Sequence, residues 1–169
     1  LLVLMNTSGG GHRSATFTMS VLQHLDSITK GGIFKKTFLI NGASGGMIGA
    51  AYFRELYLRR QQGQNINLQD PQYINDIAGD LLNPLFTSFF ARDLIAPAQK
   101  FSVGPYKYVK DRGYAFEQKL NSNTRGFLNK QLKDYVADEK AANIPLMFFN
   151  SVVTRDSRKM IISTQPVRF

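Results

Sequence analysis

Ser44 sits in the run Gly42-Ala43-Ser44-Gly45-Gly46, a G-x-S-x-G string whose lone hydroxyl is flanked only by glycine and alanine. A serine so placed is either a nucleophile on a strained turn or one residue of a flexible loop. Three such fixed positions arise by chance in about one chain in twenty of this length, so the flanking residues must decide. "KTFLIN" before the string reads as a strand and "GMIGAAYFRELY" after it as a helix; a nucleophile elbow requires both. The helix would direct its unbonded first-turn amides at Ser44 and favour negative charge there. The chemistry indicated is acyl transfer.

Acyl transfer needs a second set of donors, because a developing oxyanion gains most from preorganised N–H groups in a dry site. "SGGGHRS" follows another strand and opens another helix, so Gly9, Gly10 and Gly11 can present bare amides beside that of Gly45. Arg13, at the start of that helix, has two open readings: it binds a substrate anion, or it forms a structural ion pair. The loop matches neither G-x-x-x-x-G-K-[ST] nor G-x-G-x-x-G, so a nucleoside triphosphate or dinucleotide would be off-pattern. The only histidines, His12 and His24, both precede Ser44. A hydrolase triad in the order serine, acid, histidine therefore cannot be completed from them. His12 could reach the site as a base or remain solvated in its loop; His24 belongs to a helix surface.

Positioning these groups requires an ordered set of elements. Leu1 to Met5 reads as a buried strand. Phe17, Val21, Leu25 and Ile28 mark the apolar stripe of a helix from about Arg13 to Ile28, ended by Gly31 and Gly32. The second strand and a helix over 46–63, with Met47, Ile48, Ala51, Leu56 and Leu58 on one face, complete a strand-helix-strand-helix order. That order predicts an α/β fold with a mainly parallel sheet flanked by helices, and it brings both glycine-rich turns to the carboxyl edge of the sheet. Pro71, Pro84, Pro97 and Pro105 divide residues 64–123 into short helical pieces. There Leu85, Phe86, Phe89 and Phe90 read as core, with a lipid or partner contact as the alternative. A charged helix is expected over 124–142, with Phe127, Leu128, Leu132, Tyr135 and Val136 as its stripe. "IPLMFFNSVV" and "KMIISTQ" supply a third and a fourth strand.

The 169 residues, 43% of them hydrophobic, suffice for one domain spanning 1–169. With no cysteine there is no disulfide framework and no thiolate metal site. Twenty-one lysines and arginines against twelve acids give a net charge of +9 and favour an anionic partner. Nucleic acid is not expected, because the basic residues are scattered and no basic stripe with interleaved aromatics occurs. The apolar opening lacks a basic flank and a cleavage site, so it is no signal peptide, and no membrane span is expected. A cytoplasmic or peripheral-membrane protein follows. The chain opens in mid-strand and closes without a terminating element, so it is expected to be part of a longer protein.

"SGGGHRSATFTMSVLQHLD" followed by "NGASGGMIGAAYFREL" resembles the patatin-like phospholipases, and "DRGYAFEQKL" and "IPLMFFNSVVTRDSRKMIISTQPVRF" resemble segments that follow in larger bacterial members. The resemblance implies a three-layer α/β architecture and a lipid acyl hydrolase, with a Ser-Asp dyad and a glycine-rich oxyanion loop, acting on phospholipid or another acyl ester. It requires no cofactor and no metal ion. By matching position, Ser44 would be the nucleophile, Gly9, Gly10, Gly11 and Gly45 the oxyanion hole, and Arg13 an anion contact. Two positions depart from the family pattern. Ser14 stands where many members have glycine, and no D-G-G or D-G-A string carries the aspartate. Asp156, in a turn between strands, is not assigned that role, and the resemblance places the aspartate beyond Phe169. The expected function is a serine lipid acyl hydrolase with peripheral contact to anionic membrane; a non-catalytic anion- or lipid-binding module of the same fold is the alternative.

Overall fold

The computed structural model describes residues 1–88, 90 and 99–167. In chain order the elements are β1 (Val3–Thr7), α1 (Gly11–Ile28), α2 (Gly32–Lys36), β2 (Thr37–Gly42), α3 (Ser44–Gln61), α4 (Gln72–Ala78), α5 (Leu82–Ser88), β3 (Lys100–Val103), β4 (Tyr106–Val109), α6 (Arg112–Asn123), α7 (Val136–Lys140), β5 (Leu146–Val152) and β6 (Lys159–Ile162). Four strands form a sheet in the order β1-β2-β5-β6. The first three run parallel, and β6 returns antiparallel to β5. The strands expected from the apolar runs are thus present, although β1 starts at Val3 and leaves Leu1, Leu2 and Leu4 exposed where a buried strand is expected, and the fold is mixed α/β around a mostly parallel sheet.

α3 lies on one face of this sheet, and α1 packs along α3. The helices approach closely because Gly49 has no side chain: a Cβ there would strike the Ala15 carbonyl oxygen. Ile40 and Met147 of the sheet join Met19, Leu22, Phe53 and Leu56 in the core, with Met5 packed against them. The opposite face is exposed at Leu4, Asn6 and Asn150.

Four further expectations need correction. The stripe assigned to α1 faces outward, since Phe17 is 70% and Ile28 61% exposed. The inward residues are Ala15, Thr18, Met19, Leu22, Gln23 and Asp26. Two of the three polar members are accommodated by the 66–70 loop: Gln23 Nε2 donates to the Leu68 and Asp70 carbonyls at 2.8 and 3.0 Å, and Gln69 donates to Asp26 at 3.1 Å. The apolar face assigned to α3 is too narrow. Arg54 and Glu55 are as buried as Tyr52 and Phe53, because structure from 124–145 packs over the side away from α1.

The third correction concerns the proline-broken middle. α4 and α5 are short helices as expected, but Pro105 lies in the turn of the antiparallel β3–β4 hairpin. After the hairpin comes the twelve-residue α6, N-capped by Asp111, whose Oδ1 accepts from the Tyr114 amide. Phe86 is 61% and Phe90 58% exposed, so they are not core; Leu85 is half-buried. Phe89 and Pro97 lie outside the described residues. Finally, no single helix covers 124–142. Arg125 and Gly126 take left-handed backbone at φ 57° and 75°, ending α6, and only a 3₁₀ turn at 132–135 and α7 follow. That stretch is held by side chains: Lys130 reaches Glu55 at 2.7 Å, and Arg59 lies over the Phe127 ring at 4.0 Å.

The inverted face of α1 gives a direct test. Phe17→Ser should leave stability within about 0.5 kcal/mol of the parent, whereas Met19→Ala should cost about 2–5 kcal/mol. Urea unfolding of both variants checks this, and a larger loss at Phe17 would contradict the packing.

Candidate active site

β1 and β2 end level, with Thr7 opposite Gly42. Each then turns directly into a helix. α1 begins at Gly11 and α3 at Ser44, two residues earlier in each case than the sequence pattern places them. Gly11 and Ser44 are therefore not leads into helices but their first residues, with Gly10 as the N-cap of α1. Both N-termini, with their partial positive charge, open at the carboxyl edge of the sheet.

Ser44 itself has φ 55°, a left-handed conformation that strains any residue bearing a Cβ. Ala43 before it is extended, at φ −142° and ψ 157°. This reversal is a tight elbow rather than a loose loop. Positions 42 and 45 must be glycine for steric reasons: a Cβ on Gly42 would collide with Thr7, and one on Gly45 would land on the Gly11 carbonyl. The same proximity puts the first loop beside the serine, since a Cβ on Gly9 would lie 3.4 Å from Ser44 Cβ and 4.0 Å from its Oγ. Ser14 tightens the loop by donating to the Ser8 carbonyl at 2.6 Å, a role glycine could not fill.

The structure thus brings Gly9, Gly10, Gly11, Ser44 and Gly45 together. The amides of the four glycines donate to no loop or turn carbonyl among the described residues, which leaves them free to meet an anion. Gly10 and Gly11 lie at φ 148° and 61°, backbone that glycine adopts without penalty and that strains any residue bearing a Cβ. Ser44 is exposed, and its hydroxyl has no hydrogen-bond partner among the described residues.

Beside these groups lies a cavity of about 220 Å³, lined by Gly11, His12, Ala15, Ser44, Gly45 and Ile48 from the first and third helices. Ile77, Leu81, Leu82, Phe116 and Leu120 complete its wall. Apart from the serine and histidine the described wall is apolar, and no carboxylate lines it among the described residues.

The other candidate residues sit differently. Arg13 is exposed and makes no ion pair among the described residues, so the structural-pair reading has no partner to support it. His12 lines the cavity, but its Nε2 lies 2.6 Å from the Ile77 carbonyl. That nitrogen must donate, so it is not a free base; the bond ties the start of α1, beside the glycine loop, to α4. His24 is exposed on α1. Asp80 precedes the cavity residues Leu81 and Leu82, and the amides of Asn83 and Leu82 hold its carboxyl below the usual range. It therefore acts as a helix cap and is a weak proton acceptor. Asp156 is occupied by Arg158 at 2.7 Å.

One contribution escapes the motif search. Asn41 Nδ2 donates to Asn6 Oδ1 at 2.9 Å, and Asn150 Nδ2 donates to Asn41 Oδ1 at 2.8 Å and to the Gly42 carbonyl at 3.1 Å. The ladder crosses the three parallel strands and holds the backbone two residues before Ser44. Its signal was present: "LMN", "LIN" and "FFN" each carry an apolar run into asparagine, a residue depleted in strands.

Strain at Ser44 reverses the ordinary helix preference for alanine over glycine. Ser44→Gly should be more stable than Ser44→Ala by about 1 kcal/mol, because glycine takes φ 55° without penalty. Thermal unfolding of the two variants reads this, and the opposite order would mean that the turn is unstrained. Compared with protein-family models, curated proteins and solved structures, the chain gives no match.

Proposed function

We propose that the protein is a serine acyl ester hydrolase acting on lipid. The observation that carries this is Ser44, unpartnered at φ 55°, between an apolar cavity and the free amides of two helix N-termini. Strain held at an exposed hydroxyl is stored where a structure needs that group aimed. The resemblance of both glycine motifs to the patatin-like phospholipases supports the lipid class and a three-layer arrangement of the intact fold.

In this reading Ser44 Oγ attacks the ester carbonyl carbon as an aspartate from outside the cavity wall accepts its proton. The carbonyl oxygen becomes an oxyanion, held by the amides of Gly10, Gly11 and Gly45, with Gly9 shaping the loop. Collapse of the tetrahedral species breaks the ester C–O bond, and the leaving alkoxide takes the proton. Water then attacks the acyl-serine, and the carboxylic acid departs. Arg13, exposed at the start of α1, is placed to meet an anionic head group.

Contact with anionic membrane falls to the β3–β4 hairpin. Its register sets Phe101, Val103, Tyr106 and Tyr108 on one face and Lys100 and Lys107 on the other. Tyr106 is 66% exposed. Tyrosine and lysine together suit the boundary between head groups and acyl chains. Tyr106→Ser combined with Lys107→Glu should weaken sedimentation with phosphatidylglycerol vesicles several-fold and flatten its dependence on salt. Unchanged binding would remove the hairpin from the contact.

Among the described residues no carboxylate lines the cavity, which favours one rival, a lipid-binding module of the same shape that performs no chemistry. A fluorophosphonate probe separates the two. The intact protein should be labelled at Ser44, and Ser44→Ala should not be; an unlabelled intact protein would leave the binding module as the better account.

A further inference from the structure

The cavity beside Ser44 carries information about the acyl chain. Its 220 Å³ is smaller than the roughly 300–1,000 Å³ of sites that enclose drug-sized ligands. At about 30 Å³ for each small group, it holds about seven of them. Its floor is buried: Ala15, Ile77 and Leu81 are 2%, 1% and 4% exposed and belong to the core. Its mouth is marked by Leu82, 57% exposed. Phe116 and Leu120, one turn apart on α6, line the wall together with Ile48 of α3. α6 bears on α5 and α4, so the wall cannot withdraw without separating these helices.

We propose that this wall limits the acyl group to about six to eight carbons, with Phe116 and Leu81 as the residues that set the length. The inference rests on the hydrolase reading and deepens it by naming the substrate class: medium-chain acyl esters rather than the long chains of bulk membrane phospholipid. A chain of sixteen carbons exceeds the enclosed volume about twofold. Its tail would have to pass back over Leu82 into water and forgo the burial of its distal methylenes, each worth about 0.8 kcal/mol.

The test is the acyl-length profile of the intact protein on p-nitrophenyl esters from acetate to palmitate, dispersed in the same detergent. The expected kcat/KM peaks at hexanoate to octanoate and is at least tenfold lower at palmitate. Phe116→Ala should move the peak toward dodecanoate and raise the ratio of kcat/KM on dodecanoate to that on hexanoate at least tenfold. Leu81→Ala, checked for folding by urea unfolding, should move it the same way. A wild-type maximum at palmitate overturns the proposal while leaving the hydrolase reading intact, as does a peak that neither folded variant shifts. Failure to hydrolyse any ester overturns the hydrolase reading and the length limit with it.

Discussion

Everything at the candidate site depends on one close approach, that of the backbone around Gly11 to the backbone around Gly45. A methyl group at Gly45 would occupy the position of the Gly11 carbonyl oxygen. Only with glycine there can two helices begin side by side at the ends of adjacent parallel strands. Their N-termini then reinforce each other, because the partial charges of unbonded amides add when they face the same point. Ser44 lies at that point with its backbone forced into the left-handed region. Strain, glycine content and field thus have a single steric origin.

Holding this geometry requires a helix that cannot rotate, and α3 is fixed by charges in its interior half. Arg54, 2% exposed, reaches Glu139 at 2.5 Å and the Pro145 carbonyl at 2.9 Å. Glu55, fully buried, receives Arg59, Lys130 and the Tyr135 hydroxyl at 2.6, 2.7 and 2.9 Å. Burial and the adjoining Glu55 carboxylate push the Tyr135 hydroxyl's pKa up, so it remains a donor. Buried charges of this kind add little net stability, yet removing one partner leaves the other unpaired at a cost of about 3–5 kcal/mol. Their effect here is directional. They lock the roll of α3 about its axis, and with it the aim of its first residue, and they tie the approach to β5 to the same helix.

How much of this was legible in the sequence follows from how local each feature is. The glycine loop, the elbow and the strands before them are encoded within a few residues, and both turns read correctly. α1 did not, because its large apolar residues Phe17 and Ile28 are exposed while Gln23 and Asp26 are buried. That inversion is set by hydrogen bonds to the 66–70 loop, more than forty positions away in the chain. The region over 124–142 misled for a similar reason. Its charged residues suggest a solvated helix, but Lys130 and Glu139 are committed to Glu55 and Arg54, so side-chain pairing replaces helical periodicity. The asparagine ladder is an intermediate case, visible as a repeated strand ending and intelligible only once the strands are aligned.

The central claim is that both helix N-termini serve one oxyanion beside Ser44. The most direct measurement is a crystal structure of the intact protein after reaction with a fluorophosphonate carrying a short alkyl chain. The account predicts a phosphorus–Oγ bond at Ser44, with the phosphoryl oxygen about 3 Å from amides of both the Gly10–Gly11 loop and Gly45, and the alkyl group in the cavity against Phe116. A phosphoryl oxygen turned to solvent, away from either set of amides, would contradict it.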